Sequence, residues 1–133
     1  EALVAERPGD DAIAVFELAG ARDFVGREAE AEPLYRRALE LGLEEPQRGQ
    51  AVIQLASTVR NLGRPEEALT LLRDEFAGQP EHPLADAATA FAALALADTG
   101  AEREALVAAL RALAPHLPAY SRAVTAYADD LLG

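Results

Sequence analysis

The 133-residue chain has no cysteine, methionine, tryptophan or lysine, and only three Tyr and four Phe. Without cysteine there is no disulfide, no thiol nucleophile and no Cys-ligated metal. Without lysine, all 12 basic residues are Arg, and Asn61 is the sole asparagine. Together with the alanine excess this reflects the codon usage of a GC-rich, bacterial genome and says nothing of function. Without methionine, the chain is expected to begin inside a longer protein, so the lack of a signal peptide carries little weight. Long apolar runs are missing too. The longest, Ala87 to Ala97, spans 11 residues between Asp86 and Asp98, where about 18 are needed to cross a bilayer. It predicts a buried helix, and the expected compartment is the cytoplasm.

Basic residues are outnumbered by 23 acidic ones, for a net charge of −11. Such a surface repels phosphate backbones and anionic lipid, so nucleic acid and membrane are not expected partners. Half of the residues are hydrophobic, enough for a real core in one domain, residues 1–133. With so few aromatics that core must be Ala, Leu and Val. Ala and Leu head the helix-propensity ranking, and β-branched residues are too sparse for a sheet protein.

A repeat organises the chain. GREAEAEPLYRRAL from Gly26, GRPEEALTLLRDEF from Gly63 and GAEREALVAALRAL from Gly100 begin 37 residues apart. The same spacing relates Glu30, Glu67 and Glu104, then Leu39, Phe76 and Leu113. It also relates Ala31, Ala68 and Ala105, and upstream Ala19, Ala56 and Ala93. A period between 20 and 50 residues marks stacked supersecondary units. The predicted architecture is all-α, a superhelix or solenoid of three helix pairs over about 12–45, 46–82 and 83–116, closed by a capping helix over 117–132.

Within a unit, the first helix ends at the glycine, whose missing Cβ suits a left-handed turn. In the second unit that helix is expected from Pro46 to Leu62, with Val52, Leu55, Ala56, Val59 and Leu62 on its buried stripe. Pro65 then fits the first turn of the next helix, with Glu66 and Glu67 at its positive end. Ala68, Leu69, Leu71, Leu72 and Phe76 form that helix's buried face, and Gly78, Pro80 and Pro83 end the unit. The six repeated alanines let paired axes approach to roughly 8–10 Å, so Ala68→Leu should cost on the order of 1–3 kcal/mol. At the end of the chain, Pro118 to Leu132 reads as a helix with Tyr120, Val124, Tyr127 and Leu131 on its packed stripe. At the start, Ala2 to Glu6 could form a short cap, while Arg7 to Asp11 reads as a loop.

Gly26, Ala31, Tyr35 and Ala38 have the spacing of the tetratricopeptide repeat, which the chain resembles over about residues 12 to 132. Gly63, Ala68, Leu72 and Glu75, with Pro80 at the loop, and Gly100, Ala105, Ala109 and Ala112 occupy the same positions in the second and third units. The period of 37 exceeds the usual 34, and Val15, Val52 and Thr89 stand where large aromatics are expected. The resemblance implies protein or peptide binding on the face lined by the first helices. By correspondence that face presents Ile13, Phe16, Gly20 and Phe24, then Gln50, Ile53, Gln54, Ser57, Arg60 and Asn61, then Phe91, Leu94 and Asp98. Family members that clamp a C-terminal carboxylate use several Lys, Arg and Asn there. Only Arg60 and Asn61 come close, which argues against such a clamp.

No catalytic signature is present: no His-Glu-x-x-His, phosphate loop or nucleophile elbow. His82 and His116 lie beside prolines and read as exposed loop residues, not metal ligands. The carboxylate pairs Glu44–Glu45, Glu66–Glu67 and Asp129–Asp130 are adjacent in sequence and cannot face each other on a helix. Phe16, Phe24 and Phe91 fit either core or groove. The expectation is a non-enzymatic adaptor or scaffold without cofactor or metal, binding protein or peptide. A homo-oligomerising structural module is the alternative.

Overall fold

The computed structural model describes residues 8–133. Among them are seven α-helices: α1 Pro8–Phe24, α2 Glu28–Glu40, α3 Gln47–Asn61, α4 Pro65–Phe76, α5 Ala85–Asp98, α6 Glu102–Leu113 and α7 Ser121–Asp130. A 3-10 turn, Ala114–His116, follows α6, and no strand occurs among the described residues. None of the helices is long and apolar enough to cross a membrane.

The repeat is built on one turn. Gly26, Gly63 and Gly100 have φ of +83°, +91° and +91°, where a side chain is strained. In the first turn Gly26 N–H donates to Asp23 O at 2.9 Å and Arg27 N–H to Arg22 O at 2.8 Å. The third repeats this with Gly100 to Ala97 and Ala101 to Leu96, at 3.1 and 3.0 Å. Two carbonyls left over at a helix end are thereby satisfied. Arg27, Arg64 and Ala101 then turn the chain into the next helix with ψ of 62°, 65° and 54°. Pro65 begins α4, followed by Glu66 and Glu67. Arg27–Glu30 (3.8 Å) and Arg64–Glu67 (2.9 Å) are equivalent ion pairs across successive turns.

The chain divides into two compact units at Gly63. In the first, α2 packs on both α1 and α3, and α1 also touches α3. Ala12, Ala38, Leu43 and Ala51 form a buried cluster, with Ile13, Val15, Phe16, Leu39 and Leu41 partly buried against it. In the second unit, α5 packs on α4 and α6, and α7 on α6. Its buried residues are nearly all Ala, Leu and Val, among them Leu69, Leu72, Leu96 and Val107. All six repeated alanines, Ala19, Ala56, Ala93, Ala31, Ala68 and Ala105, are buried.

Several expectations are corrected. Pro8 to Asp11 form the first turn of α1 instead of a loop. Proline suits that position, and Asp10 and Asp11 complement the helix's positive end. Ala2 to Glu6 lie outside the described residues. The last helix starts at Ser121, not Pro118, because Tyr120 takes φ +71°, which a right-handed helix cannot contain. Its buried side is set by Ala128, with Val124 and Leu131 partly covered, while Tyr120 and Tyr127 are 81% and 71% exposed. Leu62 ends outside the buried stripe of α3, and in α5 the positions Ala90, Leu94 and Ala97 are exposed. Finally, His82 is no free loop residue. It meets Phe76 edge-on at 5.0 Å, and its Nδ1 accepts the Leu84 N–H at 3.0 Å. His116 is exposed as expected, and its Nε2 lies 2.6 Å from Asp86 Oδ2.

Candidate functional site

In the first unit the residues assigned to a binding face fall on the two helices, α1 and α3, that share α2 as a backing. Phe24, in the last turn of α1, is 92% exposed. Gln50 and Asn61 are exposed, and Gln54, Ser57 and Arg60 are partly buried. Ile13 and Phe16 lean on the core cluster. Ile53 is 7% exposed and belongs to the core. Phe91 and Leu94 stand on α5 in the second unit, the first partly buried and the second exposed.

Gly20 lies inside α1, where glycine costs roughly 0.5–1 kcal/mol relative to alanine. Glycine often marks a place where neighbouring atoms leave no room for a Cβ. Here a Cβ would meet nothing within 4 Å. The unit's own packing therefore does not require this glycine, and the surface beside it is open.

Next to Gly20 is a polar network that sequence reasoning missed. Tyr35, fully buried on α2, reaches to α1 and α3 at once. Its hydroxyl lies 2.8 Å from Asp23 Oδ2 and 3.0 Å from Gln54 Oε1. A hydroxyl has one proton, and the carboxylate is the stronger acceptor. That proton goes to Asp23, and the Gln54 amide, turned by half a rotation, can donate to the hydroxyl oxygen. Thr58, the buried hydroxyl of α3, donates to the same Oδ2 at 3.2 Å. Burial, reinforced by the hydrogen bond to Asp23 and by its charge, holds the Tyr35 phenol protonated far above its ordinary value of 10.0. Phe16 closes the apolar side, its ring centroid 6.2 Å from that of Tyr35. One signal for Asp23 was available. It is an acidic residue in the last turn of a helix, where the dipole disfavours negative charge.

The second unit holds a pocket of about 300 Å³ where α4 ends and α5 begins. Leu72, Phe76, Pro80, Ala88 and Ala92 line it, with Arg73, Gln79 and Thr89 as its polar members. Among the described residues no group of His and carboxylates is arranged to hold a metal ion.

The family model described as Tetratrico peptide repeat matches residues 12–131. No curated protein matches the sequence. Among solved structures, the crystal structure of PcrH from Pseudomonas aeruginosa is similar. The two share 18% sequence identity at a TM-score of 0.65, over 99% of this chain and 96% of that one. At that identity the likeness is one of fold.

Proposed function

The chain belongs to the tetratricopeptide repeat family, and from that premise we propose that it is a protein- or peptide-binding adaptor using the face shared by α1 and α3. The observation that carries this reading is Gly20. A residue that weakens its own helix, at a place where the fold leaves room for a side chain, makes sense as clearance for something that binds. On α1 the exposed aromatic Phe24 follows one turn later, and α3 carries the amide and hydroxyl groups of Gln50, Gln54, Ser57 and Asn61, with Arg60. Apolar contact with a few fixed polar groups is the composition of a peptide-recognition surface. By the 37-residue register, Phe91 and Leu94 occupy on α5 the positions of Gln54 and Ser57 on α3, and they supply the equivalent surface of the second unit. The proposed role is binding without catalysis, in the cytoplasm.

Peptides selected from a random display library on the wild-type protein provide the test. Gly20→Leu places a side chain in open space and should leave the helical content intact while removing the selected binders. Binders that hold equally well to Gly20→Leu and to Phe24→Asp would place recognition elsewhere. Self-association is the second reading, favoured by the exposed Tyr120 and Tyr127. Sedimentation over a range of concentrations should then show a dimer that Tyr127→Ser dissolves; a strict monomer rejects it.

A further inference from the structure

We propose that Asp23 is the anchor for a basic side chain, Arg or Lys, of the bound peptide; this rests on the α1–α3 face being the binding face. Three observations converge on that carboxylate. It sits in the last turn of α1, at the negative end of the helix dipole, where an anion is disfavoured. It is nevertheless held in place from two other helices, by Tyr35 of α2 and Thr58 of α3. And both of those bonds land on one oxygen, Oδ2.

The second oxygen is left over. Among the described residues the hydrogen bonds to the Asp23 carboxylate, from Tyr35 and Thr58, both reach Oδ2, and Asp23 is partly exposed. The neighbouring Arg22 turns instead to Glu30, at 3.5 Å. Asp23 is thus a partly buried carboxylate held through one oxygen, with no ion pair to a described residue. Two hydroxyls can fix such a group without neutralising it, because they donate hydrogen bonds and carry no charge. An incoming guanidinium or ammonium would complete it with a charge-assisted hydrogen bond.

The surroundings fit the stem of such a side chain. Gly20 is three residues before Asp23 and therefore one turn away on the same side of α1. With no Cβ there, an aliphatic chain can lie along the helix toward the carboxylate, as the stems of Arg and Lys do on apolar surfaces. Phe16 and Phe24 are four residues before and after Gly20, one turn to either side along α1. The net charge of −11 favours a cationic partner at long range as well. A metal ion fits less well, since no group of ligating side chains among the described residues surrounds the carboxylate.

The experiment uses fluorescent decapeptide pools, degenerate on both sides of one fixed central residue: Arg, Lys, Leu or Glu. Anisotropy is read against wild type, Asp23→Asn and Gly20→Leu. Asparagine keeps a carbonyl oxygen for Tyr35 and Thr58, so the fold should persist, as a thermal melt checks. The expected result is that wild type binds the Arg or Lys pool about tenfold more tightly than the Leu and Glu pools. Asp23→Asn should reduce that pool to the level of the Leu pool without weakening the latter, and Gly20→Leu should weaken all of them. If Gly20→Leu weakens every pool but the central residue makes no difference, the face binds peptide and the basic anchor is wrong. If no pool binds, or neither variant changes binding, the face itself is wrong and the anchor falls with it.

Discussion

Raising the pH isolates Tyr35 unusually well in this chain. With no lysine and no cysteine, and with Arg protonated throughout, tyrosine is the only side chain that changes charge between about pH 9 and 12. The folded state holds the Tyr35 proton more tightly than the unfolded chain, because ionisation would put a phenolate in a buried site beside Asp23. The stability this contributes is therefore intact below pH 10 and is lost as pH climbs toward the folded-state pKa. Each pH unit above 10 should remove on the order of 1 kcal/mol, hence roughly 2–3 kcal/mol by pH 12, or about 10 °C of melting temperature for a domain of this size. Tyr35→Phe should begin less stable, by about 1.5–3 kcal/mol at pH 8, because it loses a hydrogen bond to a carboxylate. It should also lack the extra alkaline slope, so the two proteins converge near pH 12. Circular-dichroism melts from pH 8 to 12, with phenolate absorbance followed in parallel, make the comparison. Tyr35 should contribute its share of the phenolate signal only as the protein unfolds. Parallel slopes for the two proteins, or full phenolate absorbance with the fold intact, would refute the reasoning.

Further substitutions probe the scaffold, each read by chemical denaturation. The same change should have opposite signs at two glycines: Gly20→Ala should stabilise by about 0.5–1 kcal/mol, and Gly63→Ala, at φ +91°, should destabilise by about 1–2 kcal/mol. Equal effects at both positions would contradict the assignment of the repeated turn. Ala68→Leu, at a buried position, should cost about 1–3 kcal/mol, whereas Ala90→Leu on the exposed side of α5 should change little. Tyr120→Gly should stabilise by about 1 kcal/mol, since Tyr120 is left-handed and its side chain is solvated; a loss of stability would mean the ring is needed.

What could be read in the sequence was what local physics repeats. Gly26, Gly63 and Gly100, the six buried alanines and Pro65 each announce their role by residue type and spacing. Tyr35 was placed correctly as the aromatic of the first unit, but its partners were not legible. Asp23, Thr58 and Gln54 come from two other helices, at separations of 12, 23 and 19 residues, and no period links them. The end of the chain misled for a related reason. Tyr120, Val124, Tyr127 and Leu131 have perfect helical spacing, yet one left-handed residue starts the helix later, and the side set by Ala128 is the buried one. On α3, spacing alone could not separate Ile53, which points into the core, from Gln54 beside it.

The chain's helix contacts bear on how fast it folds. Apart from the α1–α3 contact, the helix pairs in contact within each unit are consecutive in the chain, and each Schellman-type turn is closed by atoms five residues apart or fewer. Little loop entropy must be spent before native contacts begin to form. Chains with this low contact order cross their folding barrier in microseconds to milliseconds, which leaves newly made, still-sticky alanine and leucine surfaces only briefly exposed to one another.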